Sequence, residues 1–195
     1  MVELALSDQG YDGLIEGNFA TEADVKNFVM TDPALNRWFL LYPEVRAKPL
    51  FTHPCKEWIT ESGDMKRYRF DVLLLPGKEL FEVYGWKLGA IALELKKSGV
   101  KVGPAYSQAL DYVNSATVDL ERGGVCVVPS YGLVFNAPFV GGPLASIQTQ
   151  NRIGAFKKFP SGLWQFRSGQ TDICTFNAEF FDIGHQNAGK KSGSR

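Results

Sequence analysis

The sequence predicts a mixed α/β (α+β) fold: helix, three strands, helix and strand around a mixed central sheet, followed by a β-rich C-terminal extension. Three observations carry this. Helical spacing of apolar residues occupies two stretches, about 21–41 and 104–113, and the segments between them switch to a period of two. Short apolar runs are punctuated by Pro76-Gly77 and Gly123-Gly124, as strand ends are. Beyond Pro129 the pattern is β-like and rich in aromatics and glycines.

The bulk properties bound the alternatives. A chain of 195 residues with 45% hydrophobic and 22% charged residues has ordinary globular composition and enough length for one well-buried domain. The expected organisation is a single domain over 1–185, with a core over about 21–130, the extension over 131–185 and a flexible tail over 186–195. Formal net charge is zero, so no global attraction to polyanions operates and any such partner needs a local patch. Charge is uneven along the chain. Glu3, Asp8, Asp12, Glu16, Glu22 and Asp24 precede the first basic residue, whereas 66–101 holds eight Lys or Arg against four acids. Cys55, Cys126 and Cys174 are far apart and include no CxxC pair, against a disulfide framework or a zinc ribbon. The N-terminus has no basic region leading into an apolar run, and no apolar stretch reaches the ~18 residues a bilayer requires. The expectation is a protein without a membrane partner in a reducing, cytoplasmic compartment.

Taken in order, 1–20 reads as a loose lead-in with Gly10, Gly13 and Gly17. Thr21 is a helix N-cap with Asp24 three residues on, followed by Val25, Phe28 and Val29 at helical spacing. Asp32-Pro33 starts a second helix or a kink running to about Leu41, with Leu35, Trp38 and Phe39 apolar. Glu44 to Lys48 alternates as a half-exposed strand, 52–66 is a connecting loop, and Arg67 to Leu75 is a strand stopped by Pro76-Gly77. After an excursion through Phe81–Trp86, Leu88 to Lys96 forms a strand in which Glu94 and Lys96 share one face and Leu93 and Leu95 the other. Pro104 suits the first turn of a helix over Ala105–Val113. Val125-Cys126-Val127-Val128 reads as a short strand buried on both faces. Strand-like segments follow at Gly132–Phe135, Ile153–Phe159, Leu163–Phe166 and Ile173–Phe176, with Pro160-Ser161-Gly162 as a hairpin turn.

The residues that carry chemistry lie on these elements. Asp71 sits among apolar residues mid-strand, Glu94 and Lys96 are charged at the end of an apolar strand, and Gln108 and Tyr112 lie four apart on one helix face. Two carboxylates with a backbone carbonyl form a hard-oxygen site suited to Mg²⁺ or Mn²⁺. An adjacent ammonium can orient water or neutralise charge on phosphorus. The bland alternatives are a cross-strand salt bridge and an amphipathic helix with Tyr112 packed and Gln108 solvated.

In this order, Asp71 followed by Glu94-Leu95-Lys96 resembles the D…(D/E)xK signature of the PD-(D/E)XK nuclease superfamily. Gln108 to Tyr112 resembles the QxxxY motif of its RecB-like exonuclease branch. The resemblance covers 21–130 and implies a restriction-endonuclease-like core. It further implies a metal-dependent nuclease that hydrolyses DNA phosphodiester bonds, of exonuclease or flap type, with DNA favoured over RNA. By that resemblance Asp71, Glu94 and the Leu95 carbonyl hold Mg²⁺ or Mn²⁺, with Glu22 as a further candidate and Glu44 a second choice. Lys96 is the catalytic lysine, and Gln108 and Tyr112 support the site or the substrate strand. Phe70 stands where the signature has proline, and the 23-residue spacing from Asp71 to Glu94 implies an extended hairpin. The four cysteines that hold an iron–sulfur cluster in some relatives are missing, so no cluster is expected.

Other features read as structural. His53 and His185 are the only histidines and lack zinc-ligand spacing. Pro129-Ser130-Tyr131-Gly132 follows Val128 rather than a glycine and is no nucleophile elbow. The glycine pairs lack the lysine of a phosphate loop. The segment 152–167 interleaves Lys157, Lys158 and Arg167 with Phe156, Phe159, Trp164 and Phe166. It is either a nucleic-acid-binding hairpin or an ordinary hairpin with one packed face. Non-catalytic binding or assembly on the same fold, and an RNA-directed nuclease, are the competing functional readings.

Overall fold

The computed structural model describes residues 19–50, 68–119 and 125–184. The expectations for the lead-in, the 52–66 loop, His53, Cys55, Arg67, Gly123-Gly124, His185 and the tail fall outside these residues.

Helix α1 (Glu22–Thr31) opens with a capping box. Thr21 Oγ1 accepts the Asp24 N–H, and Asp24 Oδ2 accepts the Thr21 N–H. Asp32 then caps α2 (Pro33–Trp38) through Oδ1, which accepts the N–H groups of Ala34 and Leu35 at 2.9 and 3.0 Å. This helix ends at Trp38 rather than near Leu41. Phe39 is extended and begins β1 (Phe39–Pro49), whose residues from Phe39 pair with β2 (Tyr68–Pro76) from Pro76 backwards. The ladder to β2 claims the residues that helical spacing assigned to α2.

Pro76 and Gly77 stop β2, a short helix α3 (Lys78–Glu82) follows, and β3 (Ala90–Glu94) runs antiparallel to β2. Helix α4 (Val102–Val113) starts three residues earlier than its apolar spacing indicates. A hairpin of β4 (Ser115–Asp119) and β5 (Val125–Val127) comes next, then β6 (Pro129–Phe135), α5 (Gly142–Asn151), β7 (Ile153–Lys158), β8 (Trp164–Ser168), β9 (Thr171–Phe176) and β10 (Phe181–Asp182).

The ten strands among the described residues join one open mixed sheet in the order β10-β9-β8-β7-β6-β3-β2-β1-β4-β5. The three central strands β3, β6 and β7 are parallel, and the other pairings are antiparallel. One expectation is corrected here: the run Val125–Val128 is not buried on both faces. The strand beside β3 is β6, whereas Val125–Val127 pairs with β4 at the sheet edge, where Cys126 and Val128 are exposed. A run buried on both faces needs a neighbour on each side and a layer above and below, and β5 has β4 alone. The β-rich segment after 131 continues the central sheet, and it contains a helix, α5, that periodicity did not indicate.

Alternation along β3 sorts the two faces. Ile91, Leu93 and Leu95 point to the layer of α1 and α2, where Val25, Val29, Leu35, Trp38 and a group of aromatics form the larger core. Ala90, Ala92 and Glu94 point to the α4 layer. Small residues let α4 lie close: a Cβ on Gly132 of β6 would stand 2.2 Å from the Ala109 carbonyl oxygen. The basic-aromatic hairpin of β7 and β8 has its aromatics inside. Phe156, Trp164 and Phe166 are fully buried with ring centroids 5.3–6.4 Å apart, so one packed face is the correct reading for them. Lys158 is held by Asp32 at 2.6 Å, and Trp164 donates its indole N–H to the same carboxylate.

Candidate active site

The β2–β3 ladder is regular from Leu74–Ile91 to Val72–Leu93, and the next residues in line are Asp71 and Glu94. There the side chain takes over from the backbone: Asp71 Oδ2 accepts the Leu95 N–H at 2.8 Å. That bond uses one lone pair of the carboxylate, which has further acceptor capacity, and Asp71 also lines a cleft.

Glu94 is fully buried beneath α4, where Tyr112 donates its hydroxyl to Oε2. Tyr112 is itself positioned by Phe70, whose ring meets it edge-on with centroids 5.0 Å apart. The Lys96 ammonium lies 2.6 Å from Glu94 Oε1 and 3.5 Å from Glu22 Oε1, linking the buried carboxylate to the N-terminus of α1. Glu22 remains largely exposed. A cleft of about 220 Å³ opens on the α1 side, lined by Glu22, Lys26, Glu44, Arg69, Asp71 and Leu95.

The electrostatics follow from burial. Desolvation pushes the Glu94 carboxyl above the usual carboxylate range, the Asp71 charge pushes it further, and Lys96 and Tyr112 oppose this. Asp71 is raised mainly by burial as well, with the Leu95 N–H and Lys96 acting against it. Burial disfavours the charged form of Lys96, but pairing with Glu94, Glu22 and Asp71 outweighs it and holds the ammonium above the ordinary lysine value. Tyr112 is raised by burial and by the two carboxylates, so it stays a neutral hydroxyl donor.

Asp71, Glu94, Leu95, Lys96, Tyr112 and Glu22 are therefore brought together. Gln108 is exposed on α4 one turn before Tyr112, outside the buried cluster. Glu44 is on the cleft wall but turned aside: its φ of 54° is left-handed, and its carboxylate pairs with Lys26 at 2.5 Å and Arg69 at 3.7 Å. Lys26 and Arg69 were absent from the residues the motif singles out. The signals were present, since Lys26 lies one helical turn after Glu22 and Arg69 two strand residues before Asp71.

The donor set suits a hard divalent cation in kind. Glu94 is a buried carboxylate whose carboxyl is raised by burial and then by the charge of the part-buried Asp71, an unfavourable charge that a cation between them would relieve. Among the described residues no group of three His, Cys, Asp or Glu side chains converges as a ready metal cage. The oxygen donors that an ion here would draw on are the Asp71 and Glu94 carboxylates and the Leu95 carbonyl, with Glu22 at the rim. No helix among the described residues is long and apolar enough to cross a membrane. Comparison of the chain with protein-family models, with curated proteins and with solved structures finds no match.

Proposed function

We propose that this protein is a Mg²⁺- or Mn²⁺-dependent nuclease of the PD-(D/E)XK type that hydrolyses DNA phosphodiester bonds, acting on ends or single strands. The observation that supports it is the convergence of Asp71, Glu94, Lys96 and Tyr112 where the β2–β3 ladder ends beside an open cleft. An ion held by Asp71, Glu94 and the Leu95 carbonyl would polarise a phosphate oxygen and lower the pKa of a bound water. The chain's own groups do the rest. Lys96 orients the attacking water and offsets the negative charge that grows on phosphorus. Tyr112 fixes the Glu94 carboxylate from below, and the Leu95 N–H fixes that of Asp71. Water adds to phosphorus and gives up one proton to solvent as the bond to the leaving oxygen breaks, and that oxygen takes up a proton from solvent. Arg69 and Lys26 on the cleft wall supply positive charge for the flanking backbone.

A second reading is favoured by one observation: Glu94 already has Lys96 and Tyr112 as partners, which is how a structural polar cluster closes. On that reading the fold binds nucleic acid or assembles without cutting. Degradation of labelled linear and circular DNA, with RNA as competitor, separates the readings. Cleavage should need Mg²⁺ or Mn²⁺ and fall on the order of a hundredfold or more in Asp71→Asn, Glu94→Gln and Lys96→Ala. Full activity in Lys96→Ala, or none in the wild-type protein, would sink the nuclease proposal.

A further inference from the structure

The parallel strands β3, β6 and β7 all end on the side of the sheet where Glu94 and Lys96 lie, and open α/β sheets bind ligands outside the carboxyl ends of such strands. Their register lines up what is displayed there. Glu94 is level with Val134 of β6, Val134 with Ala155 of β7, and Ala155 with Arg167 of β8. Lys157 of β7 lies two residues beyond Ala155 on the same face of its strand, and Lys96 lies two residues beyond Glu94, past the end of β3. Two strand spacings, about 10 Å, separate β3 from β7 at the level of Glu94, Val134 and Ala155, a separation that neighbouring nucleotides of one strand bridge.

The loop between β6 and α5 folds back over this position. Asn136, with a φ of 55°, reverses the chain direction, and its N–H is held by the Phe156 carbonyl at 2.9 Å. Tyr106 of α4 donates its hydroxyl to the Pro138 carbonyl at 3.3 Å, tying the loop to the helix that carries Tyr112. Phe139 is thereby placed over two cations: Lys157 Nζ lies 4.8 Å, and the Arg167 guanidinium 5.0 Å, from its ring centroid. Phe139 is half-buried, Lys157 is buried, and Arg167 also pairs with Asp172 at 2.9 Å. Asn136 Oδ1 beside them is buried and meets no donor among the described residues.

An aromatic ring backed by two cations, two strands from a phosphodiester site, has the chemistry of a single-strand platform. A base stacks on the ring, and the positive charge beneath favours the attached phosphate. Duplex DNA offers no free base face to such a ring. We infer that Phe139, backed by Lys157 and Arg167, binds the unpaired nucleotide adjoining the phosphate at the Asp71–Glu94 site and so selects single-stranded or frayed substrate. The inference rests on the nuclease reading of that site, but its test does not.

Binding is measured in EDTA, where no cleavage occurs, by fluorescence anisotropy of a labelled oligothymidylate and of a blunt duplex, with the full chain. Phe139→Leu, which keeps apolar volume but loses the aromatic face, should weaken single-strand binding by roughly tenfold or more and leave duplex binding unchanged. Phe139→Trp should restore it. Lys157→Met should lower the slope of log affinity against log salt by about 0.7. Circular dichroism melts establish that each variant is folded. The inference is overturned if Phe139→Leu and Lys157→Met bind the single strand as the wild type does, or if neither probe binds. Cleavage assays of the wild type keep the two questions apart. Phe139-dependent binding in a wild-type protein that does not cleave with Mg²⁺ or Mn²⁺ overturns the nuclease reading alone, and cleavage with Phe139-independent binding overturns this one alone.

Discussion

Leu95 donates its backbone N–H to Asp71 Oδ2 over 2.8 Å, so a side chain ends the β2–β3 ladder in place of a backbone carbonyl. Asp71 stands beside Glu94 there; burial raises both carboxyls above their ordinary values, and the Asp71 charge adds to the rise at Glu94. A carboxyl with a raised folded-state pKa binds protons more tightly when folded than when unfolded. Its unfavourable contribution is absent at low pH and grows as pH rises from about 4 through the raised value. Folding stability of the wild-type protein should therefore fall across that window, and Asp71→Asn should flatten the fall. Mn²⁺ added at neutral pH should recover stability in the wild type and not in Asp71→Asn, through binding to the folded state. Urea midpoints at acidic and neutral pH, with and without Mn²⁺, check both expectations. A wild-type midpoint that Mn²⁺ does not move would count against a metal site.

Tyr112→Phe removes the donor to Glu94 Oε2 while keeping the ring that packs on Phe70. A hydrogen bond to a buried charged group contributes about 1.5–3 kcal/mol, and a loss of that size is expected in chemical denaturation. As Tyr112 touches Glu94 rather than substrate, its effect on cleavage should appear as weaker metal dependence. The Mg²⁺ concentration for half-maximal rate should rise while the rate at saturating Mg²⁺ recovers.

Gly132→Ala tests the closeness of α4 to the sheet. The new Cβ would sit 2.2 Å from the Ala109 carbonyl oxygen, so the helix must shift, at about 1–3 kcal/mol. Because Ala109 lies one turn before Tyr112, the same shift should draw the tyrosine off Glu94 and reduce cleavage too. Gly141→Ala, where a Cβ meets nothing within 4 Å, is the neutral control. Thermal melts of the two variants should differ clearly.

Asp32 joins α2 to the β7–β8 hairpin: it caps Ala34 and Leu35, pairs with Lys158 and accepts from the Trp164 indole. Asp32→Ala leaves an indole donor unsatisfied in the core and a lysine without its anion. The expected loss is about 3 kcal/mol, towards the lower end for a buried pair because Lys158 reaches solvent. Lys158→Met, which removes the cation but leaves Asp32 its other three donors, should cost less. Equal losses would show that the ion pair, not the cap and indole bonds, dominates the network.

Short-range physics was legible in the amino-acid order. The Thr21–Asp24 box, the Asp32-Pro33 start, the Pro76-Gly77 stop and the alternation of Leu93 and Leu95 against Glu94 depend on residues within a turn or a pleat of each other. That Asp71, Glu94 and Lys96 are charged positions among apolar neighbours was legible for the same reason, whereas their grouping into one site was implied by the resemblance to the D…(D/E)xK signature. Helix α5 shows where this reading stops. Leu144 and Ile147 are exposed while Ala145 and Gln148 are buried, so its apolar periodicity points away from the core.

By itself, then, the sequence determined the caps, the strand periods and which polar residues stand out among apolar neighbours. The tertiary structure alone decided which strand lies beside β3. Pro129–Phe135 lies beside β3, with α4 packed closely on it at Gly132, whereas Val125–Val127 pairs with β4. It alone seated Tyr112 under Glu94, turned Glu44 aside to Lys26, and laid Phe139 over Lys157 and Arg167. The reason is physical. Caps and periods are set by nearby residues, whereas strand order and the meeting of distant charges depend on which surfaces fit once the layers close.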